Sequence, residues 1–217
     1  MNKPLEKEMS NFYSSSEPYM NQLKKHSLSD YGVYLNKILS TLSKGSSILD
    51  VGCGVGQVAN FLQTNGYAVT GIDISPLFIK EGRKLGKAKL LEMDSTKLKF
   101  KDESFASVIS AESLEHMPNP KKVLEEMDRV LKKKGLLVLR FPNKQSKFNN
   151  FITLLTKKPY FQIVQPNLDK NVFGEDEDLC YLASTSDVIV FLRKRGYKIV
   201  YTKPFFWPSA LILARKP

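Results

Sequence analysis

Short apolar runs and helical stripes alternate along most of the chain. Residues 47–51, 68–73, 89–93, 105–111 and 136–141 are such runs, and they predict five strands. Between them lie helical patterns: one over 57–65 stopped by Gly66, and one opened by Ser75-Pro76, with Pro76 suited to the first turn. A third, opened by Asn119-Pro120, places Val123, Leu124, Met127, Val130 and Leu131 on one face. Upstream, Leu28, Tyr31, Leu35, Ile38, Leu39 and Leu42 recur at helical spacing. Ser27 or Ser29 would cap that helix and Lys44-Gly45 would end it. Strand and helix in alternation imply a mostly parallel sheet covered on both faces.

The pattern breaks after residue 142. Residues 143–183 mix Asn, Lys, Pro and aromatics without a period and hold the acidic knot Glu175-Asp176-Glu177-Asp178. A stretch this long inside a compact domain is a functional lid or a small subdomain. Regularity returns with a helix near 186–195 and strands near 198–202 and 210–214. These two strands lack the helix that a parallel crossover needs, so they should pair as a hairpin. The expected fold class is α/β: a Rossmann-like, doubly wound, seven-stranded and mostly parallel sheet with an antiparallel last strand. An insert or lid lies between strands five and six. The expected organisation is an N-terminal arm at 1–27 and one domain at 28–217 with the lid at 143–183.

Composition adds a basic surplus. Lys and Arg number 33 against 22 Asp and Glu, a net charge of +11 that favours anionic partners. The clusters Lys132-Lys133-Lys134 and Arg193-Lys194-Arg195 fall at expected helix ends, where they complement the helix dipole or form an anion-binding surface. No apolar run approaches the ~20 residues of a membrane span. Residues 1–6 lack the apolar core of a secretory signal, so a cytoplasmic location is expected. Two cysteines, Cys53 and Cys180, make a disulfide framework improbable, and no CxxC or HxxxH pair suggests structural zinc.

Chemistry concentrates at Asp50-Val51-Gly52-Cys53-Gly54-Val55-Gly56, directly after the first strand. A second acid, Asp73, closes the second strand 21 residues after Gly52. Strand, glycine turn, helix, strand and acid build a nucleoside pocket. A nicotinamide fingerprint would need glycine at 57, where Gln stands; the third glycine is at 56. Asp50 precedes the first glycine, and a carboxylate there is unfavourable beside a pyrophosphate but favourable beside an ammonium group. The residues thus favour a nucleoside with a cationic tail. Cys53 reads as a small space-filler within the turn.

This set resembles the class I S-adenosylmethionine (SAM)-dependent methyltransferases over about residues 30–142, most closely those acting on quinones and similar small molecules. The resemblance implies SAM as cofactor. It implies that Asp50, Gly52, Cys53, Gly54 and Gly56 form the SAM loop and that Asp73 binds both ribose hydroxyls. Ile74 would pack on adenine, Asp94 would accept from its amino group, and Ser95 would offer its amide. Ala111 and Glu112 would line the methionine tail. Where the family usually has Asp after the Phe that opens strand four, this chain has Ala106, which bears on the anchoring of that strand.

Glu112, Glu115 and His116 stand at the Glu-x-x-Glu-His spacing that binds a divalent metal in some relatives. Loop-shaping and substrate-lining roles compete with that reading, and no metal is assigned. His116 is the candidate catalytic base. The aromatics Phe148, Phe151, Tyr160, Phe161, Phe173, Tyr181, Phe205, Phe206 and Trp207 fit a substrate pocket, a small core or a dimer contact, and Phe12 and Tyr13 would close over SAM. The implied reaction is in-line methyl transfer to an O, N or C nucleophile of a small, partly apolar acceptor. RNA or another anionic macromolecule, or a non-catalytic SAM-binding role, are the alternatives. Leu114-Glu115-His116-Met117 stands where base-amine methylases carry Asn/Asp-Pro-Pro-Tyr/Phe, which argues against exocyclic amines of nucleic-acid bases.

Overall fold

The computed structural model describes residues 11, 13, 17–25, 27–117, 119–143, 147–157, 184–204 and 209–217. Seven strands form one sheet: β1 Ser47–Val51, β2 Ala68–Asp73, β3 Lys89–Glu92, β4 Phe105–Ala111, β5 Leu131–Pro142, β6 Lys198–Thr202 and β7 Ser209–Arg215. Their order is β3-β2-β1-β4-β5-β7-β6. Pairing is parallel from β3 through β5, and β7 runs antiparallel to both β5 and β6. The expected sheet and its reversed last strand are therefore present. Strand order turns back between β1 and β4, and the crevice above that point is where open α/β sheets take ligands.

Helices cover both faces. On one face α2 (Gly32–Thr41) and α3 (Gln57–Thr64) bury Tyr34, Leu35, Ile38, Val58, Ala59 and Leu62 over Ile48, Ile109 and Val138. On the other, α5 (Pro120–Val130) and α7 (Thr185–Lys194) pack Val123, Leu124, Met127 and Leu192 over Leu49, Val108 and Leu137. Each such side chain stabilises the fold by about 1.5–3 kcal/mol through removal from water. On the same face as α2 and α3, α4 (Pro76–Leu85) follows β2, buries Ile79, and is capped by Ser75, whose Oγ accepts from the Phe78 amide at 3.2 Å.

Three elements differ from the sequence expectation. Within the N-terminal arm, residues 17–25 form α1 (Glu17–Lys25), whose Met20 packs with Val55 and Phe78 beside the glycine turn. The lysine run 132–134 does not lie in a helix: α5 stops at Val130, Leu131 is already extended, and the three exposed lysines open β5. Arg195, of the second basic cluster, contacts Glu125 at 3.3 Å and covers the Phe191 ring at 3.8 Å, so it serves packing. Within the insert, Lys147–Thr156 form α6. Its period was illegible because Phe151, Ile152 and Leu155 stay exposed, leaving no polar face to mark the other side. Tyr160, Phe161, Phe173, Cys180, Tyr181, Phe205, Phe206, Trp207 and the acidic knot 175–178 lie outside the described residues, as does Phe12. Ala106 leaves β4 anchored by its backbone: the Ala106 amide donates to Ser47 Oγ at 3.0 Å.

Candidate functional site

The glycine turn is held open by its own backbone. Gly52, Gly54 and Gly56 have φ of 74°, 53° and 73°, the left-handed region that disfavours side chains. The Gly52 and Cys53 amides both donate to the Ile72 carbonyl at 2.9 Å, tying the turn to β2. A Cβ on Gly52 would lie 2.5 Å from Ser113 Oγ and 2.6 Å from Ser113 Cβ. Ser113 in turn donates to the Val51 carbonyl at 3.0 Å, so the loop after β4 grips the loop after β1. Gly52→Ala should therefore destabilise the protein by about 1–3 kcal/mol. Chemical denaturation checks this. Pairing it with Ser113→Ala should give no rescue, because the clash includes Ser113 Cβ itself; a wild-type midpoint for Gly52→Ala would refute the steric account.

Asp73 sits where β2 ends. Its Oδ2 accepts from the Gly54 amide at 2.9 Å and its Oδ1 from the Ser75 amide at 2.9 Å. Burial raises its pKa, while these amides and the nearby His116 pull it down. Cys53 is half-buried, and its Sγ would lie 2.9 Å from a Cβ on Gly71. It fills the gap over that glycine, as a spacer should, and burial pushes its thiol pKa up. Ile74 is half-buried at the mouth of the same loop. Asp94 is exposed beyond β3, with its Oδ1 accepting from the Thr96 amide at 2.8 Å and the Thr96 hydroxyl at 2.7 Å. Both of these contacts fall on the same oxygen, and Ser95 lies beside it in the chain, half-buried.

Asp50 is only 3% exposed. Its Oδ2 has no hydrogen-bond partner, and burial followed by the Asp73 charge pushes its pKa up to about 7. A buried carboxylate with an orphan oxygen is stabilised by an incoming cation. The open glycine cradle and this orphan acid together fit a nucleoside with an ammonium-bearing tail.

On the far side of the switch point, Glu112 has φ of 50° and holds Arg140 through an Oε1 to Nε contact of 3.1 Å. Ala111, half-buried, pairs in register with Arg140. His116 Nδ1 lies 3.0 Å from the Tyr13 hydroxyl, and its Nε2 lies 3.7 Å from Oε1 of the buried Glu115. Tyr13 and Tyr19 meet the imidazole edge-on at centroid distances of 5.6 and 6.3 Å. Among the described residues, no three His, Cys, Asp or Glu side chains gather closely enough to hold a metal. The Glu112-Glu115-His116 spacing forms no such cluster, since Arg140 engages Glu112. Sequence reasoning missed Ser113, Tyr31, Tyr34 and Arg140. Arg140 carried a signal: a lone cation within Leu136-Leu137-Val138-Leu139-Arg140-Phe141.

With this geometry in place, residues 49–139 match the family described as methyltransferase domain. Over these residues the chain is similar to known methyltransferases. The chain is 41% identical over 106 residues to 2-methyl-6-phytyl-1,4-hydroquinone methyltransferase of Synechocystis, covering 46% of this chain and 33% of that protein. It is 33% identical over 106 residues to the ubiquinone biosynthesis O-methyltransferase of Xanthomonas oryzae, covering 46% and 44%. The match thus spans less than half of these relatives' length. In fold, the chain superposes on the SAM-bound magnesium protoporphyrin IX methyltransferase of Synechocystis with a TM-score of 0.70 at 16% identity, covering 98% of this chain and 97% of that one.

Proposed function

We propose that this protein transfers the methyl group of SAM to an O, N or C nucleophile of a small, partly apolar acceptor by in-line displacement. The observation that carries this reading is the buried, unpartnered Asp50 carboxylate beneath three left-handed glycines, joined to an acid at the end of β2. When bound, the sulfonium of SAM supplies a methyl carbon already activated for displacement.

The chain's own groups then have separable tasks. Asp73, already fixed by two amides, retains lone pairs for the two ribose hydroxyls. Ile74 and the free oxygen of Asp94 face the base, with the Ser95 amide beside it. The left-handed glycines at 52, 54 and 56 shape the loop that lies against the ligand, with Gly52 and Gly56 packed on Ser113 and Leu90, and Asp50 takes the ammonium. The β4 loop, through Ala111 and Glu112, closes the tail side. His116 is our candidate base toward an acidic acceptor such as a phenol, and the Tyr13 hydroxyl 3.0 Å from its Nδ1 orients the ring. Alignment and exclusion of water supply most of the rate.

A small acceptor is supported by the hydroquinone and ubiquinone-pathway relatives. No helix among the described residues is long and apolar enough to cross a membrane, and a cytoplasmic location is our inference from the composition.

Calorimetry of the purified protein with S-adenosylhomocysteine should show micromolar binding or tighter, and a panel of hydroquinones and catechols should accept label from methyl-labelled SAM. Absence of any binding would sink the methyl-donor assignment. Binding with transfer only to RNA would replace the small acceptor by a macromolecular one.

A further inference from the structure

Both basic clusters of the chain reach one edge of the sheet, and it is the edge opposite the crevice. Phe105 pairs with Leu131 and Ser107 with Leu136, so on β4 Ala106 alone stands opposite residues 132–135 of β5. The lysine run is therefore looped out of the sheet as a bulge, with all three side chains exposed and Lys134 at φ of 59°. Residues at the end of β7 brace this loop. The Lys216 amide donates to the Gly135 carbonyl at 3.0 Å, its Nζ donates to the Leu131 carbonyl at 2.9 Å, and Arg215 Nη1 donates to the Lys134 carbonyl at 3.2 Å. A Cβ on Gly135 would meet the Lys132 carbonyl at 2.7 Å, so the bulge needs that glycine.

Four more cations join the lysines. Arg215 pairs with Leu136 on one side and with Lys198 on the other, which sets Lys198 level with the bulge. Arg193 and Lys194 stand in the last turn of α7, and the Gly196 turn after them packs on Pro217, whose Cγ lies 3.3 Å from where a Cβ would stand. None of these cations has an ion pair with an acid among the described residues. The acids beside them, Glu125 and Asp128, are held by Arg195 and Lys216. In the turn before β4, Asp102 is taken by Arg129, and Glu103 is exposed next to it. Lys134 and Arg140 lie on the same extended strand, so this edge is about 20 Å from the crevice.

Like charges held close repel one another, and a partner with regularly spaced negative charge relieves that repulsion. We propose that this edge is a docking surface for the phosphodiester backbone of a nucleic acid, bound without regard to sequence and away from the crevice. Contact with such a group of cations releases the counterions condensed on the polyanion, which drives association. The edge has no means of stacking on bases. Its aromatic ring, Tyr197, is 4% exposed, with its hydroxyl held by Asp128 at 2.7 Å. A bilayer fits it less well. Val200 is the one large apolar side chain exposed on β5, β6 and β7 among the described residues, whereas an interfacial segment sets an apolar face beside its cations. A bilayer held here would also leave the crevice turned away from the lipid. The nucleic acid is a docking partner and not the methyl acceptor, because the crevice opens at the opposite edge.

Fluorescence anisotropy with a labelled DNA duplex of about 20 base pairs tests this, beside a single-stranded RNA of the same length. Wild type should bind the duplex with a low-micromolar Kd or tighter at about 50 mM KCl, and log Kd should rise with log salt at a slope of about 3.5–4.5, the value for four or five neutralised phosphates. The RNA should follow with a slope of about 3–3.5. A variant carrying Lys132→Gln, Lys133→Gln and Lys194→Gln should bind the duplex at least about 10-fold more weakly and lose about 2–3 from the slope. Its substituted side chains are exposed, so it should melt with wild type and keep wild-type affinity for S-adenosylhomocysteine. A control removes the same charge elsewhere: Lys80→Gln, Lys87→Gln and Lys97→Gln, exposed positions around α4 and β3, should weaken the duplex less than about threefold, since salt screens distant charge. Equal weakening by both triple variants would reduce the effect to net charge and overturn the inference. So would no binding by wild type at about 50 mM KCl, or binding to vesicles containing phosphatidylserine with none to either nucleic acid. Transfer of methyl label to the DNA or the RNA would overturn it as well, by making the partner the acceptor. The nucleic-acid titrations need no bound SAM, so their outcome is distinguishable from that of the methyl-donor test.

Discussion

Asp50→Asn should make the ligand-free protein more stable and at the same time remove most of its affinity for SAM. Asp50 is 3% exposed, lacks a partner at Oδ2, and has a pKa of about 7 against an ordinary 3.8. The sign follows from proton linkage. Below about pH 4 the carboxyl is protonated in both the folded and unfolded chain, and burial costs nothing through this group. Between about pH 4 and 7 the unfolded chain releases the proton and the folded chain retains it, so stability falls as pH rises. Above about pH 7 the full cost is present, roughly 2–4 kcal/mol. Asparagine has the same shape and no charge to desolvate. Urea unfolding should therefore show the variant gaining little at pH 4 and the full increment at pH 8, where its melting temperature should rise by about 5–12 °C. A variant less stable than wild type at pH 8 would show that Asp50 is not a desolvated charge.

The same substitution should weaken S-adenosylhomocysteine by about 100-fold at pH 8, because an ammonium loses its buried counter-charge. Wild-type affinity should itself improve as pH rises from 6 to 8, since below about 7 a proton competes for the Asp50 carboxylate. Calorimetry in buffers of different ionisation enthalpy should register proton release at pH 6 and little at pH 8. Stability and binding thus pull in opposite directions at one residue, the usual sign that a buried charge is kept for a ligand.

Asp73→Ala should have the second large effect, with the opposite sign for stability. This carboxylate holds the Gly54 and Ser75 amides at 2.9 Å each. Its loss orphans two loop donors, at a cost of about 1–3 kcal/mol. It also removes the two acceptors proposed for the ribose hydroxyls, so SAM affinity should fall by about 100-fold or more. Asp73→Asn keeps one acceptor for the loop and should recover part of the stability without recovering binding. Denaturation and calorimetry on both variants separate the two roles. Full binding in Asp73→Asn would show that Asp73 only braces the loop.

Much of this was legible along the chain. Six of the seven strands both begin and end within two residues of the sequence expectation, because most of them are short apolar runs that local chemistry bounds. The exception is β5, which starts five residues early because α5 ends at Val130 and the lysine run is extended. The insert was opaque for a related reason. In α6 apolar residues stand on the exposed side as well, which erases the stripe that identifies a helix.

The sequence by itself determined the donor side of the candidate site. Asp50, the glycines at 52, 54 and 56, and Asp73 are tied to one strand-turn-helix-strand unit, where order along the chain dictates position in space. Only the tertiary structure decided what stands opposite. Tyr34 comes to the face that carries Asp50 because α2 packs across the sheet, and two successive registers put Arg140 on that same face. Tyr13 reaches His116 across 103 positions of sequence. Such contacts depend on strand register and helix docking, which arise from packing the whole core, and no local pattern of residues encodes them.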